Sequence, residues 1–529
     1  MEPSLSKRFR CGAMLLIAAA AAARLTYLAW NCPLELAPDE AHYWDWSRQL
    51  DWSYYSKGPL VAWLIRLSCE IFGPLSQTLV GSDMFAVRLP AVGCGSLLLV
   101  GLYVLTFQVY QNDKLAFAVV ALALTLPIVA AGSTLMTIDA PFTCAWMWAL
   151  VFGHRAVFRQ DRWAWPTAGL CILLGLLAKH TMILWVPSFA LFVLTTPSVR
   201  MQLCKPGFCT MTAVGALGGV PILAWNALNG WVTLTHTQTH AGVAGEITIR
   251  ALGPLAYVGG QFAVLLGFWF VVWTRAMWRH RPTAEAKPEL RFLWWMSAPT
   301  FVFFGLFSFT NGGGEANWPL VAYLAGIVLG ADWLLRAVSD PARWYRQFAK
   351  GSTIVAAGLG LLLTVLIHEP IQLQPVLLQV AGPATTERPM PIRRVDPTTR
   401  LRGWRHLAAE VDHTRTELKG RGVEPVLATE RWTQAAELGF YCEGHPTIYC
   451  LGVVLGDRDS QYDRWRPNPI ADEAEFRGRT FLLVGMELDR LQQAFESYEP
   501  TRVVSYHENG QLIAEWTIVV AHGFRGFGT

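Results

Sequence analysis

The chain has 529 residues, of which 53% are hydrophobic and only 16% are charged, and its mean hydropathy is +0.31. Soluble globular proteins are rarely this apolar, so the composition favours an integral membrane protein. The net charge of +4 is too small to indicate nucleic acid as a partner.

A basic N-terminus precedes the first apolar segment. Lys7, Arg8 and Arg10 lie before an apolar run at residues 11–30. A cleaved signal peptide is the alternative, but this run is about as long as a membrane span and no clear small-residue cleavage site follows it. We therefore predict an uncleaved first membrane helix.

Eleven segments are apolar over a length that could cross a bilayer. They are residues 11–30, 86–107, 114–131, 135–152, 165–179, 182–197, 208–228, 254–275, 292–310, 317–336 and 352–368. A further segment, residues 59–72, is short and amphipathic, so we expect it to lie at the membrane surface.

The loops between these segments predict the orientation. Among the loops between the segments, 153–163, 198–206, 275–291 and 337–350 carry most of the Lys and Arg. By alternation these four loops lie on the same side as the N-terminus. Basic loops remain cytoplasmic. The prediction is a multi-pass protein of the plasma (inner) membrane, with residues 370–529 outside the cytoplasm.

Three parts follow from this pattern. Residues 1–369 form a predicted transmembrane catalytic domain with a first outer loop at 31–85. Residues 370–397 are predicted to form a linker. Residues 398–529 alternate helical and strand-like stretches and suffice for a small α/β domain. The predicted fold class is an α-helical polytopic membrane protein with about 11 transmembrane helices and a small C-terminal extracytoplasmic α/β domain.

Unusual polar groups collect on the predicted outer face. They are Asp39, Glu40, His42, Lys57, Arg88, Asp139, Lys179, His180, His236, His240, Glu246, Arg250, Glu315, Asn317 and Trp318. Placing an ionisable side chain within the membrane costs free energy, so such a residue usually has a function. This applies most directly to Asp139.

Several of these groups have a structural alternative. Asp39 and Glu40 would suit the first turn of a helix that begins at Pro38. Lys57 could be a residue that extends its ammonium to the membrane surface. Trp and Tyr side chains often form belts at the membrane interface.

Two cations and two histidines also have a structural as well as a functional interpretation. Arg88 and Lys179 could contact lipid headgroups rather than a substrate. His236 and His240 share a helical face, yet a metal pair is the less common reason for that spacing. No paired C-x-x-C is present, so a zinc site of that kind is not expected.

Carboxylates and cations at the outer face suit one kind of chemistry. A carboxylate can act as general base on an acceptor hydroxyl or amine, and cations can stabilise charge on a departing phosphate. Because no nucleotide pool exists outside the cytoplasm, an activated sugar has to arrive on a membrane carrier. A lipid-phosphate donor fits both the apolar bulk and the cations.

The first outer loop carries a specific resemblance. L-A-P-D-E-A-H-Y-W-D-W-S-R-Q-L-D-W-S-Y-Y-S-K-G-P, followed by F-A-V-R-L-P, T-I-D-A-P, L-L-A-K-H-T, E-A-N-W-P and R-W-T-Q-A-A-E-L-G-F-Y, resembles the bacterial branch of the dolichyl-phosphate-mannose protein mannosyltransferase family. That branch lies within the glycosyltransferase C superfamily and includes lipid A aminoarabinose and galacturonic acid transferases. The similar motifs extend over nearly the whole chain.

The resemblance implies inverting transfer from a polyprenyl-phosphate sugar to an extracytoplasmic acceptor. It implies Asp39 as catalytic carboxylate with Glu40 as its neighbour, and Asp139 as a second acid near the acceptor. Lys57, Arg88 and Lys179 are then expected at the donor phosphate. We assign substrate binding to His42, Tyr43, Tyr55, Glu315, Asn317 and Trp318.

Two positions depart from the family pattern. Relatives that bind a metal carry an acid before the lysine, whereas this chain has Ser56, so no cofactor is assigned and a divalent cation is left open. Gly58 stands where proline is usual, and we expect it only to loosen the loop.

Other functions remain as alternatives. A lipid-linked oligosaccharide ligase or polymerase shares the donor chemistry but transfers a glycan block. A flippase or secondary transporter should instead carry its acids near mid-bilayer at broken helices. A receptor using the outer domain is a third alternative. In that domain Cys442 and Cys450 could form a disulfide, because an oxidising compartment permits one.

Overall fold

The computed structural model describes residues 3–243 and 248–527, so Glu246 lies outside the described residues. Contacts divide the chain into two compact units. The first unit comprises Met1–Trp30, Asp51–Leu64 and Arg88–Val365, and the second comprises Asn31–Leu50, Ile65–Val87 and Leu366–Thr529. This division differs from the predicted domains, because most of the first outer loop groups with the C-terminal region.

The chain is mainly helical. The first helices are α1 (Pro3–Thr26), α2 (Pro38–Arg48), α3 (Leu60–Val80), α4 (Met84–Tyr110), α5 (Asp113–Leu124), α6 (Pro127–Gly132), α7 (Asp139–Phe158) and α8 (Ala164–Ala178). They are followed by α9 (Trp185–Thr195), α10 (Pro206–Ala216), α11 (Gly219–Leu228), α12 (Val232–His240), α13 (Gly253–Val264), α14 (Phe268–Arg279), α15 (Pro288–Trp295) and α16 (Ala298–Asn311). The last are α17 (Leu320–Ala337), α18 (Arg343–His368), α19 (Pro370–Ala381), α20 (Trp404–Gly420), α21 (Trp432–Tyr441) and α22 (Glu473–Phe476).

Within the described residues, six helical segments are long and apolar enough to cross a membrane, or seven if a pair bent by 111° is one span. They are Ser4–Trp30, Met84–Tyr110, Pro206–Leu228, Pro288–Asn311, Leu320–Ala337 and Arg343–His368, and the bent pair is α13 with α14. The predicted helical membrane fold is confirmed. The number of eleven crossings stays a prediction, because segments such as 114–131 are broken into two short helices.

The second unit contains a six-stranded mixed sheet. Its strands are β1 (Val426–Thr429), β2 (Ile448–Cys450), β3 (Phe481–Val484), β4 (Ser497–Tyr498), β5 (Arg502–Glu508) and β6 (Gln511–His522). The order is β2-β1-β3-β6-β4, with β5 paired to β6. The three strands β1 to β3 are parallel, and β6 is antiparallel to β3, β4 and β5. The predicted C-terminal α/β region is therefore confirmed.

Helix α2 from the first outer loop packs on α21 within this unit. Arg48 donates a hydrogen bond to the carbonyl of His445 at 2.8 Å, and the backbone N–H of Leu36 donates to the Tyr441 hydroxyl at 2.7 Å. The Glu35 carboxylate accepts hydrogen bonds from the first N–H groups of α20. A carboxylate at a helix N-terminus satisfies donors that have no partner within the helix. These contacts attach the outer-loop helix to the C-terminal domain.

The two cysteines of the C-terminal domain are not bridged. Cys442 and Cys450 are both buried free thiols. The Cys442 thiol lies against the carbonyl of Ala408, and the Cys450 thiol lies 3.3 Å from the carbonyl of Glu430. The disulfide that the sequence left open is not formed in this structure, because each thiol is turned to a different backbone carbonyl.

Candidate active site

Lys57 lies in a tight turn of the first unit. Its carbonyl accepts hydrogen bonds from the backbone N–H of Tyr54 at 3.1 Å and from the Ser53 hydroxyl at 3.2 Å. The turn is anchored by Asp51, whose carboxylate accepts a hydrogen bond from the Trp225 indole at 2.7 Å. These bonds hold the backbone that presents the Lys57 ammonium.

Gly58 fixes the position of this turn against α8. A Cβ at residue 58 would lie only 2.2 Å from the carbonyl oxygen of Leu177, so a side chain there would force a shift. Gly58 therefore permits a close approach that the sequence did not predict, and its expected loosening of the loop stays a prediction. The close approach brings the turn to the end of α8, and Lys57 lies near enough to His180 to act on it electrostatically.

Asp139 is the centre of a polar cluster at the start of α7. Its Oδ1 lies 2.7 Å from the Nζ of Lys179, and its Oδ2 accepts a hydrogen bond of 2.7 Å from the Asn317 amide. The Asp139 and Lys179 side chains are only 16% and 10% exposed. The ammonium of Lys179 also lies 5.4 Å from the centre of the Phe142 ring. Asp139 therefore contacts two other residues that were singled out in the sequence, Lys179 and Asn317.

A glycine-rich loop delivers Asn317 to this cluster. Gly312, Gly313 and Gly314 follow α16 with φ angles of 78°, 122° and 64°. Residues with a Cβ rarely adopt this conformation, so three glycines in succession allow a turn that other residues would strain. The loop leaves Glu315 exposed and Asn317 partly buried.

Aromatic rings form a row in the same unit. The ring centres of Tyr55 and His236 are 5.0 Å apart, those of His236 and His240 are 5.5 Å apart, and those of His240 and Trp318 are 5.8 Å apart. The row thus runs from the Lys57 turn to the neighbour of Asn317. In residues 3–243 and 248–527 no group of three or more His, Cys, Asp or Glu could hold a metal ion.

An apolar cavity of about 120 Å³ lies among the membrane helices, with Asp139 in its lining. Helices α4, α5, α6, α7, α14 and α17 contribute mainly Leu, Ile, Val, Ala and Gly to its wall, together with the rings of Trp269 and Trp273. The cavity therefore joins an apolar interior to the polar cluster. Arg88, the remaining predicted phosphate contact, is 1% exposed near the start of α4.

The remaining predicted residues lie on α2 in the second unit. Asp39 is exposed in the first turn, whereas Glu40 is fully buried and its carboxylate accepts a hydrogen bond from the N–H of Ala37 at 2.9 Å. The capping alternative thus describes Glu40, which satisfies a donor at the helix start. Asp39, one residue earlier, lies at the surface.

The side chains of His42 and Tyr43 are buried against other side chains rather than exposed to solvent. His42 accepts a hydrogen bond from the Trp46 indole at 3.1 Å, and its ring contacts Trp432 and Tyr462. Burial lowers the pKa of His42 to about 3, and the cation of Arg458 acts in the same direction. Tyr43 is 4% exposed and packs edge-on against Trp46. Their described contacts are those of a protein interior.

Comparison with known structures identifies the class of fold. ArnT from Cupriavidus metallidurans in the apo state superposes with a TM-score of 0.57 at 14% identity, covering 96% of this chain and 97% of that chain. ArnT bound to undecaprenyl phosphate gives a TM-score of 0.58 with the same coverage. The chain therefore shares the fold of these two ArnT structures.

Sequence comparison points to particular relatives. A family model described as dolichyl-phosphate-mannose-protein mannosyltransferase matches residues 56–225. The lipid A galacturonosyltransferase RgtD of Rhizobium johnstonii is 29% identical over 300 residues, 56% of this chain and 60% of its own. The undecaprenyl phosphate-alpha-4-amino-4-deoxy-L-arabinose arabinosyl transferase of Pseudomonas savastanoi pv. phaseolicola is 26% identical over 217 residues, 37% of each chain. The chain thus matches at most 60% of the length of these curated relatives.

Proposed function

We propose that this chain is an inverting glycosyltransferase that moves a sugar from a polyprenyl-phosphate donor to an extracytoplasmic acceptor such as lipid A, another glycolipid, a glycan or a protein. The observation that carries the proposal is the cluster of Asp139, Lys179 and Asn317 at the wall of an apolar cavity. The names of the relatives support it, since one acts on lipid A and another uses an undecaprenyl phosphate sugar.

The donor side of the reaction is assigned to cations. As the glycosidic bond breaks, the leaving phosphate gains charge, so a positioned cation stabilises the transition state more than the ground state. We assign this role to Lys57, Arg88 and Lys179. A divalent cation is the alternative source of positive charge, and an assay in the presence of EDTA tests whether the reaction requires one.

The acceptor side is assigned to Asp39, whose exposed carboxylate can take a proton from a hydroxyl or amine. Glu40 is assigned to holding the start of α2, and His42 and Tyr43 to packing that helix in place. Asp139 is assigned to holding Lys179 and Asn317 in place. Its two carboxylate oxygens accept hydrogen bonds from these two side chains, which face the substrate in this proposal.

The sugar is assigned to the aromatic row. The flat faces of Tyr55, His236, His240 and Trp318 suit the C–H face of a pyranose ring, and their polar edges suit its hydroxyls. Asn317 and the exposed Glu315 lie next to Trp318 along the chain and add polar contacts.

The membrane orientation is also proposed. We place the protein in the inner membrane with a cytoplasmic N-terminus and an extracytoplasmic C-terminal domain, because the basic loops share one side. Reporter fusions at residues 160, 280 and 529 test this: the first two should report a cytoplasmic location and the last an extracytoplasmic one.

The decisive experiment follows a radiolabelled sugar from polyprenyl phosphate in the purified protein. Transfer of a single sugar to lipid A or another acceptor, with release of polyprenyl phosphate, supports the proposal. A ligase or polymerase would instead require a preassembled glycan block. A flippase or transporter would move the intact lipid across a vesicle membrane without breaking the glycosidic bond, and that result would replace the proposal.

A further inference from the structure

A second pocket lies in the first unit, which we call the membrane unit, at the basic loops 153–163 and 198–206 and away from the cluster around Asp139. Its volume is about 650 Å³, within the size range of small-ligand sites. It is lined by the turn before α8, which contributes Arg162 and Trp163, and by the start of α10, which contributes Lys205 and Gly207. Both helices are apolar. We therefore expect the pocket, which lies where they begin, to be near the polar edge of the membrane.

The charge of this pocket is positive. Arg162 and Lys205 line it, and in the described chain its lining includes no Asp or Glu. The neighbouring Asp161 lies outside the lining and is bound to Arg155 at 2.6 Å. By contrast, the polar pocket of the C-terminal domain pairs two arginines with Glu430 and Asp457, so it has no excess of cations.

The backbone adds a second source of positive potential. Helix α10 begins with Pro206, which follows Lys205, and its first residues line the pocket. The N-terminal end of a helix attracts anions, because its first N–H groups have no partner within the helix. Gly207 lies against the Trp165 ring, where a Cβ would come within 2.6 Å, so α10 starts directly beside α8.

The surroundings of the pocket suit a lipid rather than a free ion. Trp163 is 69% exposed, as is typical of a tryptophan at a membrane interface. Along α8, Leu170 and Leu174 are exposed apolar residues that continue into the membrane span. A headgroup in the pocket would therefore have apolar helix surface nearby for its acyl chains.

We propose that this pocket binds the phosphodiester headgroup of an anionic phospholipid, with Arg162 and Lys205 as its charged contacts. Basic pockets between membrane helices recognise such headgroups, and each cation near the surface strengthens binding about fivefold. This inference is independent of the glycosyltransferase proposal, since it concerns the other side of the membrane unit.

The test measures lipid binding to the purified full-length protein by native mass spectrometry, with phosphatidylglycerol and phosphatidylcholine as competing probes. Wild type should retain phosphatidylglycerol preferentially. Arg162→Gln combined with Lys205→Gln should lower that binding about 25-fold. The matched control, Arg343→Gln with Lys350→Gln, removes two exposed cations of α18 outside the pocket and should leave binding unchanged.

Each result decides the proposal. Equal loss in the control pair would mean general surface attraction, and unchanged binding in the double variant would remove the site. Competition by millimolar inorganic phosphate would identify a free-anion site and would also overturn the lipid assignment. If the double variant does not fold, the single variants replace it, each with an expected fivefold loss.

Discussion

The Nζ of Lys179 lies 2.7 Å from Oδ1 of Asp139, although 40 residues separate them along the chain. The second oxygen of Asp139 accepts a hydrogen bond from Asn317, so one carboxylate holds two groups from distant segments. Both side chains of the ion pair are largely buried, and a buried ion that loses its partner is costly. The pair thus couples the geometry of the candidate site to the stability of the membrane unit.

Breaking this pair should affect stability and turnover together. Asp139→Asn removes the negative charge that balances the Lys179 ammonium, and Lys179→Met leaves the Asp139 carboxylate without its cation. Each substitution should cost about 1–3 kcal/mol. Sugar transfer per folded molecule should fall at least tenfold. In the double variant the stability losses should be clearly less than additive, which a double-mutant cycle of unfolding free energies measures.

The exposed pair of Arg66 and Glu70 is the control for this experiment. Their side chains are 44% and 57% exposed, and exposed pairs contribute about 0–1 kcal/mol. Glu70→Gln should therefore change neither the unfolding free energy nor the transfer rate appreciably. Additive stability losses for Asp139 and Lys179 would contradict the coupling.

Lys57 should determine donor use rather than acceptor use. Lys57→Ala should lower the transfer rate and the donor affinity, because the charge that develops on the leaving phosphate loses a cation. Lys57→Arg should keep more of the wild-type rate than Lys57→Ala, because arginine retains the positive charge. The rate should still be below that of wild type, because a planar guanidinium replaces a compact ammonium. Steady-state kinetics with donor and acceptor varied separately measure both effects, and a defect confined to acceptor affinity would contradict the assignment.

Gly58 offers a test of how the Lys57 turn is held. Gly58→Ala places a Cβ at 2.2 Å from the Leu177 carbonyl, so the turn must move away from α8. We expect a higher apparent KM for the donor with Lys57 still present. Gly93→Ala is the matched control, because a Cβ at residue 93 meets no atom within 4 Å and alanine favours the helix there. Equal kinetics in the two variants would show that the close approach is unimportant.

Much of the site could be predicted from the sequence, because ionisable residues are rare at membrane boundaries. Asp139, Lys179 and Asn317 could be singled out one by one on that ground. Their mutual contacts could not, since these depend on how α7, α8 and the glycine loop pack. The role of Asp51 could not be predicted either, because it depends on a hydrogen bond from Trp225, which lies far away in the sequence.

The contacts between distant segments of the fold could not be predicted from the sequence either. Hydropathy located the helical segments, yet it could not show that helix α2 packs on α21 in the C-terminal domain. That association depends on contacts such as the one between Arg48 and His445, which are 397 residues apart. Periodicity reports which residues are apolar, but it carries no information about partners at such a distance.

Asp39 and Glu40 should behave differently although they are neighbours. Asp39→Asn removes an exposed carboxylate, so transfer should fall about 10²–10⁴-fold with little change in stability. Glu40→Ala should lower stability by about 0.5–2 kcal/mol through loss of the helix cap. Glu40→Gln retains an acceptor for the Ala37 N–H and should transfer sugar at nearly the normal rate. Near-normal turnover in folded Asp39→Asn, measured in the same assay, would reverse the assignment.

His42 should make the protein sensitive to acid. Its pKa is about 3 in the folded protein because the ring is buried, whereas an unfolded histidine titrates near pH 6.5. The unfolded state therefore binds the proton more readily, and stability is full above about pH 6.5 and is lost as the pH falls toward 3. The expected slope is at most about 1.4 kcal/mol per pH unit in this window.

His42→Gln keeps an acceptor for the Trp46 indole but does not titrate, so its stability should fall less steeply with acid. Unfolding free energies of the two proteins at pH 7.5, 6 and 5 measure the difference, and parallel curves would show that His42 is not the group responsible.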